Sequence, residues 1–443
     1  MPELSGGMVQ RRLLNVIRDR AEHEIVLGLQ GPRSVGKSTL LRALAATAGV
    51  EVIDLDDPSV RDAVAADPQR FVQGPSPVCI DEYQHAPIVL DAIKAELNRE
   101  QRPGRFIITG STRYEALPRA AQALTGRLHM LTVRPLSQGE IAGVEEDFVE
   151  RCLVDPAAVI SAVPSRTSRT EYIERVVAGG FPMALQRPAG PARHRWFDDY
   201  VTQAIARDLL ELAKIRQRDK LPQLLERLAG QTGQVLNVSA AAHSIAIERR
   251  TADTYTKLLE AVFLIHRLPA WRTTLNARVA SLPKVHVVDS GVAARLLRLS
   301  SARLTSLHPT ALTEFGHLLE TFVVGEIMKQ ASWSDSVSGV GHWRTRDGDE
   351  VDIVLERDDG RIVGFEVKAG SRVPGEELRG LRKLRTALGS QFIGGIALYT
   401  GARSYTHEDR IHVVPVDHLW TPSESPSRST EEASLGGGAH RPR

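Results

Sequence analysis

Residues 31–38 read GPRSVGKS, with glycines at 31 and 36 running directly into Lys37 and Ser38. Such glycines let successive backbone N–H groups wrap a chain of phosphates, and a helix starting at the loop adds positive potential. Lys37 would then reach the β- and γ-phosphates, and the Ser38 hydroxyl would be a ligand for Mg2+. A glycine turn ahead of any helix shows similar letters. Here an apolar run at 25–29 precedes the loop and TLLRALAAT follows it, so strand, loop and helix stand in the order a nucleotide site needs.

A second apolar run ends in VCIDE, which puts Asp81 and Glu82 at the carboxyl edge of a strand, where α/β sheets bind ligands. Asp81 suits a water-mediated Mg2+ ligand, and Glu82 suits a general base that orients the attacking water. Two acids opening a solvated loop are the bland alternative. A third run, FIITGST, would bring the hydroxyl of Thr109 or Ser111 near the γ-phosphate as a sensor. Phosphoryl transfer also calls for positive charge, and Arg113 and Arg127 follow this strand. Either arginine reads equally well as a solvated helix residue.

A third constellation is GDEVDIVLERDDGRIVGFEVKAG at 348–370. Strand alternation puts Val351, Ile353 and Leu355 on one face and Glu350, Asp352 and Glu356 on the other. On the returning strand, Val363, Phe365 and Val367 oppose Glu366 and Lys368. A three-residue loop at 358–360, with Gly360 left-handed, would set Asp352 across from Glu366 and Glu350 across from Lys368. Carboxylates facing each other across a ladder repel by roughly 0.2–1 kcal/mol, so the pair calls for a cation. Mg2+ or Mn2+ would suit these oxygen ligands, with Lys368 orienting a nucleophile or stabilising developing charge. A plain Glu350–Lys368 salt bridge on a solvated face is the competing reading.

These residues need elements to hold them. The chain has 443 residues, too long for one hydrophobic core. Residues 1–150 alternate strand-like and helix-like segments, the rhythm of an α/β parallel sheet. Residues 151–215 turn helical, broken by GGFP at 179–182, and read as a lid or linker whose Trp196 to Tyr200 aromatics pack a core. Residues 216–275 read as a winged helix-turn-helix, with helical pieces starting at Ser239 and Glu248. Its third helix carries Arg249, Arg250 and Lys257 as candidate phosphate contacts, although such a unit also serves as a packing module. A second α/β region opens at KVHVVDSG and fills 276–420, and 421–443 has the composition of a disordered tail.

Charged residues form a quarter of the chain and nearly cancel, to +2, so no global charge demands nucleic acid. Two cysteines cannot make a disulfide framework, and no apolar run approaches the ~20 residues of a membrane span. With no signal-peptide core at the start, the expectation is a cytoplasmic protein without membrane contact. The fourteen histidines show no metal-ligand spacing.

Taken together, GPRSVGKS, IDEYQ, FIITGS, LTGRLHMLTVRPLSQGEI, GGFP, EVDIVLE and FEVKAG resemble the prokaryotic AAA-like ATPases that carry a C-terminal domain similar to PD-(D/E)XK nucleases. The resemblance covers roughly residues 9–420. It implies an α/β fold: an AAA-like P-loop NTPase sheet of the ASCE type, a helical lid, a winged helix and a PD-(D/E)XK-like domain. It further implies ATP and Mg2+ bound by Gly31, Pro32, Arg33, Ser34, Val35, Gly36, Lys37, Ser38 and Thr39, with Asp81 and Glu82 supporting hydrolysis. Arg127 matches the GR ahead of the PLS segment and becomes the preferred arginine finger, with a homo-oligomer left open. The resemblance also makes Asp352, Glu366 and Glu320 metal ligands beside Lys368, and admits DNA as a partner of the winged helix and the nuclease-like half. A nucleotide-switched regulator that binds nucleic acid or protein without cleaving is the alternative.

Overall fold

The computed structural model describes residues 9–116, 124–209, 215–272, 281–306 and 308–422. The first sheet contains β1 (Val26–Gln30), β2 (Val52–Asp54), β3 (Val78–Asp81), β4 (Phe106–Gly110) and β5 (Leu128–Thr132), in the order β2-β3-β4-β1-β5. All its pairings are parallel. β1, β3 and β4 are buried throughout, which is why they read as unbroken apolar runs instead of alternating ones. Helices cover both faces. Leu40, Leu41 and Leu44 of the helix Lys37–Ala48 pack with Leu27, Leu29 and Ile107. On the other face, Val89, Ile93 and Leu97 of the helix Ile88–Leu97 meet Ile80, Phe106 and Ile108.

Helices Arg169–Ala178 and Pro191–Gln203 follow, and the aromatic run packs inward as expected. The ring of Tyr200 lies 4.7 Å from that of Phe181 in the GGFP break and stacks on Trp196.

The middle of the chain runs helix Lys220–Ala229, β6 (Gln234–Val235), helix Val238–Ser244, helix Arg249–Ala261, β7 (Ile265–Leu268) and β8 (Lys284–Val287). Two expectations are corrected here. The second helix is capped by Asn237, whose Oδ1 accepts from Ala240 N at 2.9 Å, and Ser239 lies inside it. KVHVVDSG does not open the C-terminal region: β8 is the central strand of an antiparallel sheet β6-β8-β7, so a boundary at 275 would cut that sheet apart.

The C-terminal sheet contains β9 (Val337–Arg344), β10 (Glu350–Arg357), β11 (Ile362–Lys368), β12 (Phe392–Tyr399), β13 (Tyr405–Glu408) and β14 (Ile411–Pro415), ordered β13-β14-β12-β11-β10-β9. The helix Pro309–Ala331 covers one face, packing Phe315, Leu318 and Leu319 with Ile353, Leu355, Val363 and Phe365. The helix Arg379–Leu388 covers the other, packing Leu381 and Leu384 with Val351, Val354 and Ile362. Val351 therefore faces away from Ile353 and Leu355, against the expected alternation. The pairing of β10 with β9 shifts between Val351 and Val354, and a shift of this kind inserts a residue and flips the pleat.

The β10–β11 register is the one that a three-residue loop produces. Ile353 pairs with Phe365 and Leu355 with Val363, Arg357 N donates to Arg361 O at 2.9 Å, and Gly360 closes the turn at φ 77°. No described helix is long and apolar enough to cross a membrane. The tail expected at 421–443 lies, from residue 423 onward, outside the described residues.

Candidate functional site

The loop between β1 and the helix Lys37–Ala48 curls tightly, with Ser34 and Gly36 in left-handed backbone at φ 62° and 98°. Lys37 is buried, and its Nζ donates to Gly31 O at 3.0 Å and Pro32 O at 2.9 Å, so the ammonium lies across its own loop. Because β3 and β4 run parallel to β1, their carboxyl ends reach the same sheet edge. There Thr109 Oγ1 donates to Asp81 and accepts from Glu82 N at 3.2 Å, and Ser38 also hydrogen-bonds Asp81. Burial pushes Asp81 above the usual carboxylate range, although the Thr109 and Ser38 hydroxyls oppose the rise. Ser38, Asp81 and Thr109 offer only oxygen donors, a set that fits a hard cation such as Mg2+.

Glu82 has left-handed backbone at φ 53°, which a residue with a Cβ adopts at a cost and which recurs at functional sites. Its carboxylate accepts from Gln84, whose Nε2 also donates to Ser111 Oγ at 3.0 Å. Burial alone would raise Glu82, but Lys37, Gln84, Arg33 and Ser111 hold it below the ordinary value, so it is ionised at neutral pH. Gly110 makes this arrangement possible: a Cβ there would lie 2.7 Å from the Tyr83 ring and 2.9 Å from Gln84 Oε1.

Beside the loop lies a cavity of about 530 Å³, lined by Arg11, Leu14, Leu136, Pro182, Met183 and Gln186 among others. Its size and mostly apolar wall suit a nucleoside. Arg11 was not expected to matter. Its guanidinium donates to Val35 O at 2.6 Å, Arg134 O at 2.8 Å and Glu140 Oε1 at 3.0 Å, bracing the phosphate loop from behind. Nothing in QRRLL distinguishes it from a solvated helix-start arginine.

Arg127 lies away from the phosphate loop of its own chain. It precedes β5, whose Leu128 pairs level with Val26, while the phosphate loop leaves the opposite end of β1 level with Thr132. The separation is about 13 Å of strand, and Arg127 donates instead to Asn98 Oδ1 at 2.9 Å, so it cannot serve its own chain's loop. Arg113 points elsewhere too. Its Nε donates to Glu260 O at 3.0 Å and its backbone N to Ala261 O at 2.9 Å, tying the end of β4 to the helix Arg249–Ala261.

In the C-terminal half, the β10–β11 ladder ends at Ile353 and Phe365, one residue short of Asp352 and Glu366. Lys368 pairs with Glu366, at 2.9 Å, and not with Glu350. A cation does lie among these acids, but it is a side chain and it sits between Asp352 and Glu320, not between Asp352 and Glu366. Lys284, from β8, places Nζ 2.7 Å from Asp352 Oδ1, 2.8 Å from Glu320 Oε1 and 3.7 Å from Glu350. Asp352 Oδ2 accepts from Val367 N at 2.9 Å. Among the described residues no group of three or more His, Cys, Asp or Glu side chains is gathered to hold a metal ion. Asp352 and Glu320 are thus spent on Lys284 and Val367 N, and Glu366 Oε2 is left as the one oxygen of the three acids that is buried without a partner, too few for the expected Mg2+ or Mn2+.

Charge is balanced internally. Burial disfavours the Lys284 ammonium, but Asp352, Glu320 and Glu350 hold its pKa above the lysine norm. Burial and Asp352 push Glu320 up to about 8, and the same two causes raise Glu366. Asp352 is buried as well, yet Lys284 and the Val367 N–H keep it below its usual value.

Residues 23–142 match a family described as an AAA domain. They form an AAA-type P-loop domain. The phosphate loop, Asp81, Glu82 and Thr109 all lie within this AAA domain, as does Arg127. Residues 169–303 and 315–419 match two domains of unknown function, DUF8612 and DUF4143. The first of these takes in β8, which agrees with its place in the middle sheet. Uncharacterized proteins of Mycobacterium bovis and Mycobacterium tuberculosis are each 25% identical to this chain over 421 residues, covering 94% of it and 86% of their own length. Among solved structures, a Walker-type ATPase of Pyrococcus abyssi is 16% identical with a TM-score of 0.39, over 65% of this chain and 96% of its own. The RuvB Holliday junction branch migration motor of Thermotoga maritima is 15% identical with a TM-score of 0.27, over 58% of this chain and 87% of its own.

Proposed function

We propose that the protein binds and hydrolyses ATP at the AAA domain and that its nucleotide state controls binding by the two following regions. The observation that carries the hydrolytic reading is Glu82: an ionised, buried carboxylate held by Gln84 at the strand edge that Lys37 and Asp81 share. The loop N–H groups and Lys37 bind the phosphates, and the apolar cavity takes the nucleoside. Glu82 orients a water and accepts its proton as the water oxygen attacks the γ-phosphorus; the bond to the bridging oxygen breaks, leaving ADP and phosphate. Mg2+ held by Ser38 and Asp81 supplies neutralisation of the developing phosphate charge when bound. Thr109, bonded to both Asp81 and Glu82, is the positioning hydroxyl. Lys37→Ala is expected to abolish ATP binding by calorimetry; unchanged affinity would sink the reading.

The order helix, strand, helix, helix, strand, strand supports reading the middle region as a winged helix. Exposed Arg249, Arg250 and Lys257 on its third helix support nucleic-acid contact. The mixed C-terminal sheet between two helices supports a PD-(D/E)XK-like fold, and Lys284 among its acids favours binding without metal-dependent cleavage. ATP-dependent retention of DNA that survives Glu366→Ala would agree with this. Metal-dependent cleavage lost in Glu366→Ala would restore the nuclease reading. Arg127, partly exposed on the far sheet edge, supports a homo-oligomer in which it serves a neighbouring chain. Mixing Arg127→Ala with Glu82→Gln protein would then recover hydrolysis that neither has alone.

A further inference from the structure

We propose that Lys284 is the resident cation of the C-terminal acid cluster, so that this half of the chain keeps Asp352 and Glu320 paired without a divalent metal. The ammonium sits where a metal shared by Asp352 and Glu320 would sit, within 2.8 Å of one oxygen of each. Mg2+ would need those same oxygens at about 2.0–2.1 Å, which leaves no room for Nζ between them. The second Asp352 oxygen is already taken by Val367 N. On the far side Gly233 closes the space, because a Cβ there would lie 3.2 Å from Glu320 Oε2. One positive charge suffices: with Glu320 largely protonated at neutral pH, Lys284 and Asp352 balance each other.

Lys284 is also not a withdrawable plug. Its side chain is 1% exposed, and its neighbours Val285 and Val287 belong to the same core as Leu318, Leu319 and Val323 of the helix Pro309–Ala331. Backbone bonds tie the two regions, from Trp271 N to His342 O at 2.6 Å and from His342 N to Pro269 O at 2.9 Å. Thr232 and Thr321 join them again through their hydroxyls at 2.8 Å. Extracting the lysine would mean opening a shared apolar core and leaving buried carboxylates without their partner.

The test uses the full chain without nucleotide, so it stands apart from the ATPase reading. Mn2+ is titrated and followed by electron paramagnetic resonance, and thermal unfolding is measured with and without the ion. Wild-type protein is expected to show no Mn2+ site tighter than about 1 mM that Asp352→Asn removes. Lys284→Ala is expected to gain one, with a metal-dependent rise in Tm that disappears in Lys284→Ala/Asp352→Asn. If Lys284→Ala does not fold, the wild-type and Asp352→Asn arms decide. Mn2+ bound by wild-type protein and lost in Asp352→Asn or Glu366→Gln would overturn the proposal, whereas Mn2+ bound equally by both lies elsewhere and agrees with it.

Discussion

Glu82 and Glu320 are both buried carboxylates, and their neighbours push them in opposite directions. Lys37 and the Gln84 amide keep Glu82 ionised, as a general base requires, while burial and Asp352 keep Glu320 protonated up to about 8. Glu82→Gln is therefore expected to lower the ATP turnover rate by about 10²–10⁴-fold while ATP affinity changes little, as steady-state kinetics and calorimetry would report. For Glu320 the sign is reversed. A raised folded pKa means that its contribution to stability is complete below the ordinary value of 4.5 and is lost as pH rises through about 8. Lys284, raised above a lysine norm of 10.5, adds no slope in that window. From about pH 7 to pH 8, above the range in which buried His266, His286 and His342 add the opposite slope, denaturant midpoints should fall, and Glu320→Gln should flatten part of that fall. Glu146, which burial raises to about 7, would account for some of the remainder.

At the scale of elements, the hairpin β10–β11 shows how a loop sets chemistry. Gly360 at φ 77° allows three residues to join the strands, and nothing lies within 4 Å of where its Cβ would be. Gly360→Ala thus meets no clash and should cost only the left-handed penalty, about 1–2 kcal/mol, in urea unfolding. A much larger loss would mean that the register itself had slipped, which would also part Asp352 from Lys284. The helix Pro309–Ala331 has a different task. Glu320 faces the acid cluster from its middle, and Glu326 and Lys329 near its end contact the AAA domain. One rigid element thus touches both candidate sites.

Across the whole molecule, two of the sets of contacts that join the AAA domain to the rest lie close to the nucleotide site. Lys329 Nζ donates to Leu136 O at 2.9 Å and pairs with Glu326 at 2.5 Å, and Glu326 accepts from Gln138 N at 2.8 Å. Leu136 lines the cavity beside the phosphate loop, so this buried pair anchors one wall of it. Lys329→Met would leave Glu326 buried without its cation and should destabilise the chain by about 3–5 kcal/mol, measured by urea unfolding. The second set runs through Arg113, from the strand of Thr109 to the end of the helix Arg249–Ala261. A non-hydrolysable ATP analogue should change hydrogen exchange in that helix, and Arg113→Ala should remove the change; an identical response in both proteins would show that Arg113 carries no coupling.

The residues that could be read from the chain alone were those whose partners are close in sequence. The phosphate loop is one continuous stretch between a strand and a helix, and the β10–β11 register follows from a turn of three residues. Asp81, Glu82 and Thr109 were placed because every strand of a parallel sheet ends at the same edge. Strand direction also sets Arg127 at the opposite edge from its own chain's loop, a fact of topology that a motif does not carry. Tertiary structure alone supplied Lys284, which lies 36 residues before Glu320 and 68 before Asp352 on a strand that had seemed to belong to another sheet. A lone lysine in an apolar run gives no sign of which buried charge it will meet. That pairing is set by how two sheets and a helix share one core, because only there do the desolvated carboxylates and the ammonium come within reach of each other.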